Sequence, residues 1–439
     1  MTNFPLNDDA GTPDNGWQSD PRTAPNLIFG TGTLAIGSYI LLAYTSRELS
    51  AHEYSLFATF WSVVMGLILG ATAPLESFGL STTTFSNGKF EVDDQFIRAI
   101  KIVFGTAFFA TMLLLPWFLP RVFDGRWSFL IATLITIVGF LFIYTARGIL
   151  IVEHRSGQYA AIMTAESFLR VSLAIVLIAV IAPGGSTVAL AVSLAALIAG
   201  FFSFMAVRSH LKVRVSKKIN QQIVDKPIKS SNQFVPLLVA SMAILVLLNL
   251  GPFVVQFLSG SQSASAGMFL NALTLSRIPI LLGPILQARL LPSVSSILRS
   301  GLSPSMNKLI GAGMRRLAVL GLLYTIGFVA LGEFAINLMF GGKTSLDKID
   351  LLLLAIPTVL YLVAVAFQSV LVALGETRKV TMVWVLGLSS YLLTLLAPLD
   401  SLRKVEVAGV VALVLVTLGL YIQLARKMGQ TSVAIKIDS

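Results

Sequence analysis

Runs of about twenty apolar residues recur along this 439-residue chain, and they restrict its fold more than any other feature. They occupy roughly 27–46, 54–75, 97–119, 127–148, 158–182, 187–208, 234–257, 265–290, 313–340, 350–374, 378–398 and 406–426, twelve in all. As a helix rising about 1.5 Å per residue, each reaches across a hydrocarbon layer about 30 Å thick. A segment in lipid must satisfy its backbone N–H and C=O groups within a helix or by closing a barrel. Barrel strands need only about ten residues of alternating polarity, whereas these runs are longer and continuous. The expected fold is therefore all-α and integral to a membrane, with twelve transmembrane helices. Composition agrees: 55% of residues are hydrophobic and 12% charged, against about 25% charged in a soluble domain, and mean hydropathy is +0.83.

Lysine and arginine are spread unevenly between the runs. With the N-terminus in the cytoplasm, 23 of the 32 basic residues fall on the cytoplasmic side and 7 outside, leaving Arg170 and Arg277 within spans. Membrane insertion produces this bias, so the sequence predicts a multi-pass protein of the cytoplasmic (plasma) membrane with both termini inside. The net charge of +11 belongs to those loops, not to a nucleic-acid surface. Residues 1–26 are polar and rich in Pro, Gly, Asn and Asp, and predict a disordered cytoplasmic tail. They lack the basic start and apolar stretch of a signal peptide.

The longest connection, 209–233, is basic, contains Pro227, and divides the chain into two sets of six spans, 27–208 and 234–426, with 427–439 as a second cytoplasmic tail. Such a connector lies readily on anionic headgroups. Six spans per half give both halves one orientation, the condition for a parallel repeat about the membrane normal. "ILIVEHR" (149–155) and "VALGETR" (372–378) each follow the fourth span of a half, and align Glu153 and Arg155 with Glu376 and Arg378.

Charges inside spans are costly, about 2.5–3.5 kcal/mol for a central Arg or Asp on insertion scales, and so face a cavity or a partner. Glu166 and Arg170 stand four apart on one face of the fifth span, about 12 Å and about 18 Å deep. They can neutralise each other, as a structural lock, or present donors to a bound anion. Arg277 lies mid-membrane in the eighth span with no acidic residue within four positions. Pro279, Gly283 and Pro284 follow it, and such breaks are tolerated where backbone faces protein or water. An anion site and a pair with a carboxylate from another helix both remain open there. Glu76 is expected at the cytoplasmic rim of the second span, and Arg147 as an interfacial snorkeller at the end of the fourth. Glu333, near the outer end of the ninth, is a gate candidate. Asn249, Gln256, Asn271 and Gln287 fit inter-helix hydrogen bonding.

"GTGTLAIGSYILLAYTSRELSAHEYSLFATFWSVV" (30–64) and "YTARGILIVEHRSGQYAAIMTAESFLRVSLAIV" (144–176) resemble the polysaccharide-flippase branch of the multidrug/oligosaccharidyl-lipid/polysaccharide (MOP) exporter superfamily. "SRIPILLGPILQARLLPSVSSI" (276–297), "GEFAINLMFGG" (332–342) and "FQSVLVALGETRKV" (367–380) are similar to its eighth, ninth and tenth helices. The resemblance covers about 27–426 and rests on the order and helix positions of these stretches. It implies two six-helix lobes in a V around a central cavity, as in multidrug and toxic-compound extrusion (MATE) transporters, with alternating access. It implies a lipid-linked oligosaccharide, pyrophosphate-bearing, as cargo, with membrane lipids and glycosyltransferases or a polymerase of the same pathway as partners, and no nucleic acid. On that reading Arg277, Arg170, Glu166, Arg147 and Glu76 are cavity candidates, Pro279, Gly283, Pro284 and Glu333 hinge or gate candidates. Arginine's planar fork suits a diphosphate.

A cation-coupled multidrug exporter of the same fold is the alternative; it would rely on intramembrane carboxylates, where this sequence places mainly arginines. A membrane glycosyltransferase would need a sizeable outer loop, and the longest outer connection is about ten residues. A scaffold acting through 209–233 is a further reading. No cofactor or metal is expected: there is no Walker motif, "GTGTLAIG" lies in a membrane span with no strand before it, cysteine is absent, and His52, His154 and His210 are scattered among loops.

Overall fold

A computed structural model describes residues 23–86, 89–92, 94–153, 155–208, 211–213, 234–282, 303–341 and 346–437. The first half contains α1 (Thr23–Glu48), α2 (Ala51–Val63), α3 (Leu69–Thr82), α4 (Asp94–Val122), α5 (Trp127–Val152), α6 (Ser156–Val180) and α7 (Gly185–Arg208). The second contains α8 (Phe234–Asn249), α9 (Gly251–Ser259), α10 (Ser265–Ser276), α11 (Ser303–Phe340), α12 (Lys348–Ala373), α13 (Thr377–Thr394) and α14 (Ser401–Ile437). Among the described residues nine helices are long and apolar enough to cross a membrane, and the bent pair α8–α9 makes a tenth. The all-α membrane architecture stands. The expected eleventh span and the described part of the eighth, 265–282, are helical without meeting that requirement, and 283–290 lie outside the described residues. Helix α10 has only 12 residues before a 3-10 turn, Ile278–Leu282, and α13 opens on Arg378 and Lys379.

Two spans expected to be regular are not. The seventh bends by 58° between α8 and α9. Pro252 offers no N–H to the preceding turn, and a Cβ on Gly251 would come within 2.6 Å of the Phe269 ring. The second span runs from α2 into α3 through a π-helical turn, Val64–Ile68, and continues past its expected end at 75 with Pro74 inside. This α2–α3 span is the most buried, 78% of its apolar window, and packs on α8, α9 and α10 of the other half. The third span of each half, α4 and α11, is the least buried of the candidate spans, at 17%. Their exposed faces carry Leu113, Leu114 and Trp117, and Leu320, Leu322 and Leu323, which suits a lipid-facing surface.

Within the first half, α5 and α7 cross at glycines. A Cβ on Gly139 would lie 2.5 Å from the Ala196 carbonyl carbon, and one on Gly200 2.5 Å from the Gly139 oxygen. Small residues at such a crossing bring two backbones into van der Waals contact, which is what associates helices in lipid. The stretch after α3 forms an antiparallel ribbon, β1 (Thr83–Ser86) and β2 (Lys89–Val92). The expected connector 209–233 is ordered at its start: β3 (Leu211–Val213) pairs parallel with β2, and 214–233 lies outside the described residues.

The halves are tied at the end that the charge bias assigns to the outside. Ser46 donates to the Phe340 carbonyl (2.9 Å) and Arg47 to that of Leu338 (2.5 Å), at the last turn of α11. Arg121 donates to the Phe257 carbonyl (2.6 Å) at the last turn of α9, and Gln262 to Asp124 (3.1 Å). Both arginines cap helix C-termini, where unpaired carbonyls and the helix dipole favour a cation. Deeper, Ser55 donates to Gln256 (2.7 Å) and Tyr54 to Asn271.

Candidate functional site

The buried residues of α6 include Tyr159, Met163, Glu166, Arg170, Ala174 and Ile178. Their spacing of three and four keeps them on one face, so the helix turns its charged pair into the bundle. Arg170 donates to Glu166 and to Ser38 Oγ on α1 (3.1 Å). Its guanidinium lies 5.3 Å from the Trp61 ring centre. Both side chains are almost fully buried, 3% and 5% exposed. The pair is a closed contact joining α6 to α1 and α2, in which each charge is neutralised by the other.

Nearer the start of α6, Arg147 and Glu76 meet at 2.9 Å. Tyr159 accepts from Arg147 and donates to Glu76 (2.6 Å), and the guanidinium sits 4.7 Å from the ring centres of both Tyr144 and Tyr159. Arg147 is therefore buried between α3, α5 and α6, not snorkelling at an interface. Glu76, expected at the rim, is its counter-ion. All four charged groups lie within electrostatic reach of Tyr144, so the sequence's first-half candidates form one neutral cluster. Desolvating two ion pairs costs several kcal/mol per ion and is offset only by such close, multiply bonded geometry.

Arg277 stands apart. It is the C-cap residue of α10, where Pro279 has already ended regular helix. Helix-end carbonyls beside it are taken by tyrosines of other elements: Tyr39 of α1 donates to Thr274 (3.0 Å) and Tyr324 of α11 to Ser276 (2.5 Å). The half-buried guanidinium donates to Asn249 Oδ1 at 3.3 Å, and Tyr39, Tyr361 and Tyr391 are within electrostatic reach. Among the described residues no carboxylate pairs with it. Its charge is balanced by dipoles alone, those of an amide, phenols and a helix C-terminus.

Of the hinge and gate candidates, Pro279 lies in the 3-10 turn, and Gly283 and Pro284 fall outside the described residues. Glu333 is exposed on α11 beside exposed Leu331 and Phe334; the inter-half contacts run through Leu338 and Phe340 instead. A carboxylate the sequence reading did not single out is Glu406 of α14, which is 2% exposed. It stands at the first position of an expected span, where a charge reads as interfacial; the helix begins earlier, at Ser401, and buries it. An acidic residue flanked by Val405 and Val407 was the available signal. Beside α6, an open groove of about 570 Å³ is lined by Asn26, Phe29, Ala161, Thr164, Ala165 and Phe168 among others.

No family model matches the chain, and no curated protein matches it in sequence. Solved structures do match in shape. An outward-facing and an inward-facing form of a multidrug resistance MATE transporter of the MOP superfamily each align with a TM-score of 0.58 at 13% identity, over 94% of this chain and 95% of theirs. A mutant form of the Vibrio cholerae MATE transporter VcmN aligns with a TM-score of 0.55 at 13% identity over 93% of this chain and 96% of its own. At such identities the likeness is one of fold, and along nearly its whole length the chain is folded as MATE transporters of the MOP superfamily are.

Proposed function

We propose that the protein is a membrane exporter working by alternating access, and that its cargo is an anionic lipid-linked oligosaccharide moved from the cytoplasmic to the outer leaflet. The observation that carries this reading is Arg277: a guanidinium with no carboxylate partner among the described residues, at a helix break close to the contact between halves. Its planar fork can take two oxygens of a pyrophosphate. A strong anion replaces the weak dipoles that now balance it. The lipid part is supported by the groove between α1 and α6, which is floored by alanines and flanked by the exposed rings of Phe29 and Phe168. On this reading the pyrophosphate meets Arg277 while the lipid chain stays in the bilayer. Alternating access is supported by the fold, which matches transporters in both facing states equally.

Cation-coupled multidrug export is the second reading, favoured by the multidrug activity named for the structural neighbours. Proteoliposomes separate the two. Arg277→Ala is expected to lower the flipping of a fluorescent polyprenyl-pyrophosphate sugar at least tenfold, with normal insertion and folding. Wild-type flipping by that variant removes the proposed site, and drug resistance conferred on a sensitised host without any flipping establishes the second reading.

A further inference from the structure

The bend between α8 and α9 is wedged by a side chain from the other half. The Phe253 N–H and the Asn249 carbonyl stand in the i to i−4 relation that pairs in a continuous helix. Here both turn to Ser62 Oγ of α2, which accepts from the Phe253 N–H (3.3 Å) and donates to the Asn249 carbonyl (2.6 Å). A side chain inserted into the helical ladder in this way bends a helix, and the bend at this point is 58°. Ser62 is 1% exposed, a position where leaving the carbonyl or the N–H unpaired is costly.

The wedge is joined to Arg277. Asn249, whose backbone Ser62 holds, is also the residue whose Oδ1 accepts from the guanidinium (3.3 Å). Arg277's backbone is held from the same side: its N–H donates to the Thr274 carbonyl (3.2 Å), which also accepts from Tyr39 of α1 (3.0 Å). A cavity of about 40 Å³ lies between the bend and the arginine, lined by Leu247, Leu248, Gly251 and Arg277 among others.

We propose that Ser62 is a positioning residue that couples the anion site to the contact between halves. Seated in the bend, it holds Asn249 against the guanidinium, so an anion reaching Arg277 must displace the Asn249 amide. When the halves part, Ser62 leaves with α2, Phe253 and Asn249 pair directly, the bend relaxes and Asn249 comes off the guanidinium. Anion and Ser62 thus oppose each other through Asn249. By reciprocity, an anion on Arg277 favours parting of the halves as much as parting favours the anion. The consequence is an exporter that opens in response to its cargo. This rests on reading Arg277 as the cargo-anion site, and it adds the link from that site to the moving contact.

The test uses the full-length purified protein and a dialkyl pyrophosphate diester. Calorimetry reads affinity, and maleimide labelling of a Ser55→Cys background reads opening, the chain having no cysteine of its own. Asn249→Leu, which removes the competing amide at similar volume, is expected to bind the probe about three- to tenfold more tightly than wild type. Ser62→Ala is expected to do the same, and the double variant no more than either alone. In the Ser55→Cys protein the probe is expected to raise the labelling rate about threefold or more; with Ser62→Ala added, the rate starts high and the probe leaves it unchanged. Where Ser62→Ala does not keep the folded elution profile, Ser62→Cys, close in size and a weaker hydrogen-bonding group, takes its place in the binding measurement. Wild-type affinity in either single variant overturns the proposal. So does tightening by the Ser62 change that persists on top of Asn249→Leu, because Ser62 then acts by another path. Probe binding that needs Arg277 while labelling ignores the probe overturns the coupling and leaves the cargo site intact. Unchanged binding in Arg277→Ala, or none in wild type, overturns both.

Discussion

Arg147 and Arg277 are alike as residues and opposite in circumstance. Arg147 has a carboxylate, a phenol and two aromatic faces; Arg277 has one amide oxygen at 3.3 Å. The first arrangement holds three elements together, so breaking it strands a buried cation at a cost of about 3–5 kcal/mol. Glu76→Gln is expected to lower chemical or thermal stability in detergent by that order, and a combined Glu76→Leu, Arg147→Met exchange to recover most of it. Equal stability of all three proteins would mean the cluster is hydrated. Only part of this difference is legible in the sequence. The isolation of Arg277 is local, because no acid lies within a helical turn of it. The pairing of Arg147 with Glu76 is not local: it depends on α3, α5 and α6 converging, and both residues sit where a charge ordinarily meets water. Glu406 escaped for the same reason, since an acid at the edge of an apolar run gives no sign that its helix begins a turn and more earlier.

At the level of helices, hydrophobic length marks where spans lie and is blind to how they are interrupted. The π turn at Val64–Ile68 and the 58° bend at Leu250 lie where Gly66 and Gly70 of the first half pack on Leu250 and Met242 of the second, and where Gly251 packs on Phe269 within the second. At the end of the bundle the ties run through Arg47 and Arg121, each set on the C-terminal turn of a helix in the opposite half. Exposed charge–dipole contacts of this kind contribute about 0.3–1 kcal/mol each, enough to bias a two-state equilibrium without fixing it. The chain has no native cysteine, so a single Ser55→Cys, buried against Gln256, reports opening directly. Adding Arg47→Ala and Arg121→Ala is expected to raise its labelling rate by an impermeant maleimide about three- to tenfold. An unchanged rate would show that these contacts do not hold the end closed.

For the whole molecule, the alternating access proposed above requires that the contact at this end break once per cycle. Ser46 and Phe340 face each other across it. A Ser46→Cys, Phe340→Cys disulfide is therefore expected to abolish transport and reduction to restore it; full activity in the crosslinked protein would require a path that leaves the halves joined. The expectation of two sets of six spans rests on the count and charge of the apolar runs; α4 and α11, third in each set, are equally little buried. What the sequence concealed is how early the second connection begins. Strand β3 lies just beyond α7 and completes a sheet whose other two strands follow α3. During synthesis the ribbon β1–β2 emerges with an open edge, a position that invites wrong partners. Its proper neighbour, at Leu211–Val213, arrives only when the last helix of the first bundle has left the ribosome, so closure of this small sheet registers that the bundle has been made in full before the second one starts.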